Sequence, residues 1–127
     1  LSDEELKEYG FYDVVIPDWD SNIQELGDLY FDNANETFTK DVSDKTWVKT
    51  LSELKEEVIY NFNHLTQSKL QNTDWYIVRN QEIGTAIPAD ITTARQALRD
   101  QVNTVETEIN ALTTKKAVMS YDLPSII

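Results

Sequence analysis

No cysteine occurs anywhere in the 127 residues. That excludes disulfides, a thiol nucleophile and cysteine-based metal centres, and it leaves the compartment open. Glycine and proline number three each, too few for long flexible linkers or a glycine-rich phosphate loop. No apolar run reaches the roughly 18 residues a membrane span needs, and no signal peptide is visible. Positive charge is scarce as well: 11 basic residues face 23 acidic ones, a net of −12. This balance argues against binding a nucleic-acid backbone or an anionic membrane surface. The single histidine, His64, has no cysteine or acidic cluster spaced around it, so it reads as structural or exposed. Carboxylates are abundant, but most stand at capping and turn positions, and no G-x-S-x-G or H-E-x-x-H pattern appears. The expectation is a chain without enzymatic activity, metal or cofactor. Because it begins at Leu1, it is also expected to be a trimmed or partial product.

What is present divides unevenly. Residues 1–45 hold 13 acidic and 3 basic residues, whereas residues 46–127 hold 10 and 8. The front is therefore acidic, either as a solvated face or as a docking surface for a basic partner. It begins with a short helix over residues 1–10, with Ser2 and Glu5 at capping-box spacing and Gly10 placed to stop it. Residues 11–16 (FYDVVI), 28–32 (DLYFD) and 37–42 (TFTKDV) read as strands of a small antiparallel sheet, with 28–42 as a hairpin turning at residues 33–36. Asp18-Trp19-Asp20-Ser21-Asn22 starts like a calcium loop. Ile23 stands where that loop needs glycine and Leu29 where it needs glutamate, so an Asx-rich turn is expected instead.

From Ser43 the period becomes helical. Trp47, Leu51, Leu54, Val58, Phe62 and Leu65 recur at steps of three and four, and Ser43 or Asp44 is the expected cap. Nothing in 43–83 is glycine or proline, so one continuous helix is favoured, with its weakest section at residues 66–74; the alternative is that Asn72-Thr73-Asp74 breaks it and caps a new one. Trp75, Val78 and Ile83 give its end an apolar side. A turn over 84–90, containing Pro88, leads to a second arm with Asp90 as N-cap. There Ile91, Ala94, Leu98, Val102, Val105, Ile109 and Leu112 form a narrow seam, with Arg95, Gln96, Arg99, Asp100 and Gln101 on the outer face. The short turn makes the arms antiparallel neighbours. Trp75 joins the seam as a core or interface residue. Thr113-Thr114 ends the arm, and residues 115–127 read as an extended tail that packs on something. The expected fold is thus α+β: residues 1–45 form an acidic β-rich region, 46–114 a helical hairpin and 115–127 the tail.

One stretch carries more than periodicity. TDWYIVRNQEIGTAIP followed by ARQALRDQV resembles the tail-assembly-chaperone family of tailed bacteriophages, through Thr73, Asp74, Trp75, Pro88, Arg95, Gln96, Ala97, Leu98 and Arg99. The first 15 residues are loosely similar to the start of small phage tail proteins. The resemblance implies a non-enzymatic protein of the tail, tail-fibre or baseplate region, found in the virion and, during assembly, in the host cytoplasm. It implies other tail or tail-fibre proteins as partners. The seam offers homo-oligomer formation as a further contact. The seam runs beyond the family segment to Leu112, which favours a lasting structural subunit over a transient helper.

Overall fold

Ser2 caps the first helix as its spacing predicts. In the computed structural model, which describes residues 1–127, helix α1 spans Asp3–Glu8. The Glu5 amide donates to Ser2 Oγ at 3.3 Å and the Ser2 amide donates to Glu5 Oε2 at 2.7 Å, a reciprocal pair that satisfies two free helix donors. The Ser2 amide foremost, and then the Ser2 hydroxyl, hold the Glu5 carboxyl below its ordinary pKa. At the other end the Gly10 amide donates to the Lys7 carbonyl and the Phe11 amide to the Leu6 carbonyl, with Gly10 at φ 84°. This is a Schellman closure, which glycine adopts without a Cβ clash.

The chain forms two compact units, Leu1–Thr46 and Trp47–Ile127. In the first, four short strands, β1 (Gln24–Leu26), β2 (Tyr30–Asp32), β3 (Thr37–Thr39) and β4 (Val42–Asp44), make two antiparallel pairs rather than one sheet. β2 pairs with β3 and β1 with β4, so the pairs are nested along one extended hairpin. Between them, residues 27–29 on one arm oppose only residues 40 and 41 on the other, the one-residue excess of a β-bulge. At the tip, Asp32 Oδ1 accepts from the Ala34 and Asn35 amides, and Asp32 Oδ2 from the Asn35 side chain. These donors, the Asn35 side chain foremost, lower the Asp32 pKa. Glu36, not an asparagine, takes the positive φ of 51°.

The expected strand over 11–16 is corrected to a single parallel bridge, Val14 to Phe38. The Val15 amide donates to the Phe38 carbonyl and the Phe38 amide to the Asp13 carbonyl. The next rung would need an amide at residue 17, which is proline and has none. Tyr12, Phe31 and Phe38 meet edge to face with centroids 4.8, 5.2 and 6.4 Å apart. The 18–22 stretch forms an Asx turn, with the Asn22 amide donating to Asp20 Oδ1 at 2.9 Å.

The second unit is helical: α2 (Leu51–Gln71), α3 (Asp74–Ile83), α4 (Ala89–Ala111) and α5 (Lys115–Met119). The expected helix start near Trp47 with a cap at Ser43 or Asp44 is corrected. Residues 42–44 are strand, and Thr50 and Glu53 form the capping box that starts α2. The favoured continuous helix is corrected too, and the alternative holds: the helix breaks at Asn72-Thr73, where Thr73 leaves helical geometry with φ −116° and ψ 5°. Gly84 closes α3 at φ 71°. Pro88, not Asp90, is the N-cap of α4; its carbonyl accepts from Ile91 and Thr92.

α2 and α4 run antiparallel. Lys55 reaches the Asn110 carbonyl, Asn63 reaches Glu106, and Arg95 reaches the Leu70 carbonyl. Phe62, Val105 and Ile109 form the core between them, with Val58, Ile59, Val102, Tyr121 and Ile126 packed around it. The tail, expected to be partly extended, begins with α5, capped by Thr114. Val118 of α5 is buried and Ile126 reaches the core cluster.

Candidate functional site

Three of the residues behind the family resemblance, Thr73, Asp74 and Arg95, meet at the break between α2 and α3. A helix that stops leaves carbonyls without intrahelical donors. Here the Leu70 carbonyl accepts from the Thr73 amide at 3.0 Å, from Thr73 Oγ1 at 3.1 Å and from the Arg95 guanidinium at 2.8 Å. Arg95 also donates to Thr73 Oγ1 at 2.7 Å and to Asp74 Oδ1 at 2.9 Å. One planar fork thus satisfies acceptors on both sides of the break, a task suited to arginine. Arg95 is only 8% exposed, so its expected place on the outer face is corrected.

That burial redraws the α4 seam. Leu98, Val105 and Ile109 are buried, while Ile91, Val102 and Leu112 are half-buried. Ala94 is exposed, and Arg95 takes its place facing α2. The inward series becomes Ile91, Arg95, Leu98, Val102, Val105, Ile109 and Leu112, with steps alternating strictly between four and three, the heptad pattern of a helix pair. Counting only apolar residues hides this, because one of the inward positions is charged.

Of the other motif residues, Gln96 donates to Asp100 along the α4 surface, Ala97 is half-buried and Arg99 is exposed. Trp75 is 51% exposed and lies against Tyr76, centroids 3.7 Å apart, with the Arg79 guanidinium 4.8 Å from its ring. Val78 and Ile83 are exposed on the same helix. Residues 75, 78, 79, 82 and 83 share one arc of α3 at 100° per residue, so an apolar face that also carries Arg79 and Glu82 looks outward.

A second constellation, unseen in the sequence, holds the C-terminal segment. Lys69 Nζ donates to the carbonyls of Ile126 at 3.0 Å and Ile127 at 3.1 Å, and Gln101 Nε2 donates to that of Ser125 at 2.8 Å. The Tyr121 hydroxyl donates to Glu108; this bond first, then burial, pushes the Tyr121 pKa up to about 12. Lys115 anchors the start of the segment on the Trp47 carbonyl. His64 is exposed and stacks on Tyr60 one turn away. No group of three or more His, Asp or Glu side chains gathers to hold a metal ion, and no helix is long and apolar enough to cross a membrane. Comparison with protein-family models, with curated proteins and with solved structures gave no match.

Proposed function

We propose that this chain is a non-enzymatic structural component of a tailed-phage virion, joining other proteins in the tail, tail-fibre or baseplate region. The observation that carries the reading is the Arg95 contact set. Thr73 and Asp74 from one half of the resembling stretch and Arg95 from the other are far apart in sequence, and they meet within 2.9 Å. That meeting of the two halves of the resembling stretch at one junction is what supports the reading. The closed α2–α4 core and the folded-back C-terminal segment suit a permanent subunit. Its partners are other tail or tail-fibre proteins, with a second copy of the chain as a further contact. Its location is the virion, reached through the host cytoplasm.

A second reading, a tail or tail-fibre assembly chaperone, is favoured by one feature: the outward apolar face of α3 at Trp75, Val78 and Ile83 suits a contact made and later released. Mass spectrometry of purified particles separates the two. A structural component is present at fixed stoichiometry after stringent washing. A chaperone is absent from particles, and its deletion still prevents their formation.

A further inference from the structure

We infer that the flank of the α2–α4 seam facing away from the C-terminal segment is a second peptide groove, built for an extended segment of another protein that carries an Asp or Glu beside an apolar side chain. The inference rests on reading the helical unit as an attachment module, and it does not require the phage assignment.

The same helix pair already holds one extended peptide, its own residues 121–127. It does so with an apolar floor and with rim side chains, Lys69 and Gln101, that donate to main-chain carbonyls. Residues two apart on a helix point roughly 200° away from each other. Gln67 therefore mirrors Lys69 on α2, and Arg99 and Asn103 mirror Gln101 on α4. These three, with Asn63, Thr66, Leu70 and Val102, line a groove of about 390 Å³, within the roughly 300–1,000 Å³ of ordinary binding clefts.

Its chemistry is selective. Leu70 and Val102 supply an apolar floor. Thr66 is committed to the Phe62 carbonyl, and Asn63 Nδ2 to Glu106, which fixes the carboxamide and leaves Asn63 Oδ1 buried without a donor. Gln67 and Asn103 offer side-chain donors at the rim. Arg99 is the only charged residue in the lining, and the ion pairs Lys7–Glu36, Lys49–Glu57 and Arg95–Asp74 do not include it. A guanidinium unpaired in a chain of net charge −12 calls for a carboxylate, which it can bind with two parallel hydrogen bonds. Two copies of so acidic a chain repel, which favours a different protein as the donor. The mode is main-chain capture with one charged anchor.

The test is selection of binders to the full chain from a displayed library of random dodecapeptides. The strongest binder and its analogue with the acid replaced by the amide are then titrated by fluorescence anisotropy against the wild type and Arg99→Gln. The expected binder pairs an acidic residue with apolar neighbours. Either change weakens it by about tenfold or more, and the two together do no further harm. Asn103→Glu, on the same rim, weakens binding by charge repulsion and serves if Arg99→Gln lowers helicity. The proposal is overturned if no peptide is enriched, if enriched peptides ignore both variants, or if Arg99→Gln instead dissociates a dimer in sedimentation, which would make a second copy the occupant. A chain that binds such peptides yet is missing from particles defeats the virion reading alone.

Discussion

In the helical unit, Ile109 is 0% exposed and Val105 and Val118 are nearly so, whereas in residues 1–46 no side chain is buried to that degree. The first unit instead gathers three half-buried rings and a dense set of turn hydrogen bonds. The two regions are thus ordered by different forces. Where burial is deep, the hydrophobic period decides the structure and local detail adjusts to it. Where burial is shallow, single backbone donors, caps and bulges decide it.

The largest effect should come from Leu98→Asp, which places a carboxylate against buried apolar surface. A loss of about 4 kcal/mol or more is expected, read as collapse of the helical far-ultraviolet dichroism. A soluble, fully helical variant would show that the seam is not the source of the unit's stability. Arg95→Met comes next, at about 2–4 kcal/mol, because it strips donors from Leu70, Thr73 and Asp74 at once. Asp74 is half exposed, which moderates the cost. Chemical denaturation measures it, and a change below about 0.5 kcal/mol would mean the junction is held by other contacts.

In the acidic unit, Phe31→Ala should cost less than such truncations do in closed cores, about 1–2 kcal/mol against the usual 3–5. Near-ultraviolet dichroism of the rings during denaturation reads it, and a full core-sized loss would erase the contrast between the regions. The smallest effect concerns pH. The folded Tyr121 keeps its proton to about 12, against 10.0 for the free group. Its contribution is therefore complete below pH 10 and disappears as pH rises towards 12. The gap in melting temperature between wild type and Tyr121→Phe should stay constant below that window and close across it; a gap that persists unchanged to the top of the window would remove the assignment.

The same contrast explains what could be read in the residues. The α+β class, the α1 capping box, the Gly10 stop, the 28–42 hairpin and the inward positions from Leu98 to Leu112 all follow from local pattern. The true start of α2 also stands in the residues, as Thr50-x-x-Glu53, against an apolar step from Trp47 to Leu51 that points to an earlier start. Three features resist. The break at Asn72-Thr73 has no glycine or proline to mark it; the junction is held by Arg95, distant in sequence. The fate of residues 11–16 turned on one missing amide at Pro17, which β-propensity does not weigh. The clamp of Lys69 and Gln101 on the C-terminal carbonyls involves main-chain acceptors, which any sequence supplies and none advertises.

The bulge in the long hairpin can be put as a matter of parity. Side chains alternate between the two faces of a strand, so residues an even number apart share a face and residues an odd number apart do not. On the returning arm, Phe38 and Val42 are an even count apart; on the outgoing arm their partners, Phe31 and Leu26, are an odd count apart. The two arms of a regular ladder could not both satisfy that arithmetic. The extra residue among 27–29 resets the count, so the Leu26–Val42 rung and the Phe31–Phe38 rung can present their apolar side chains to the same side.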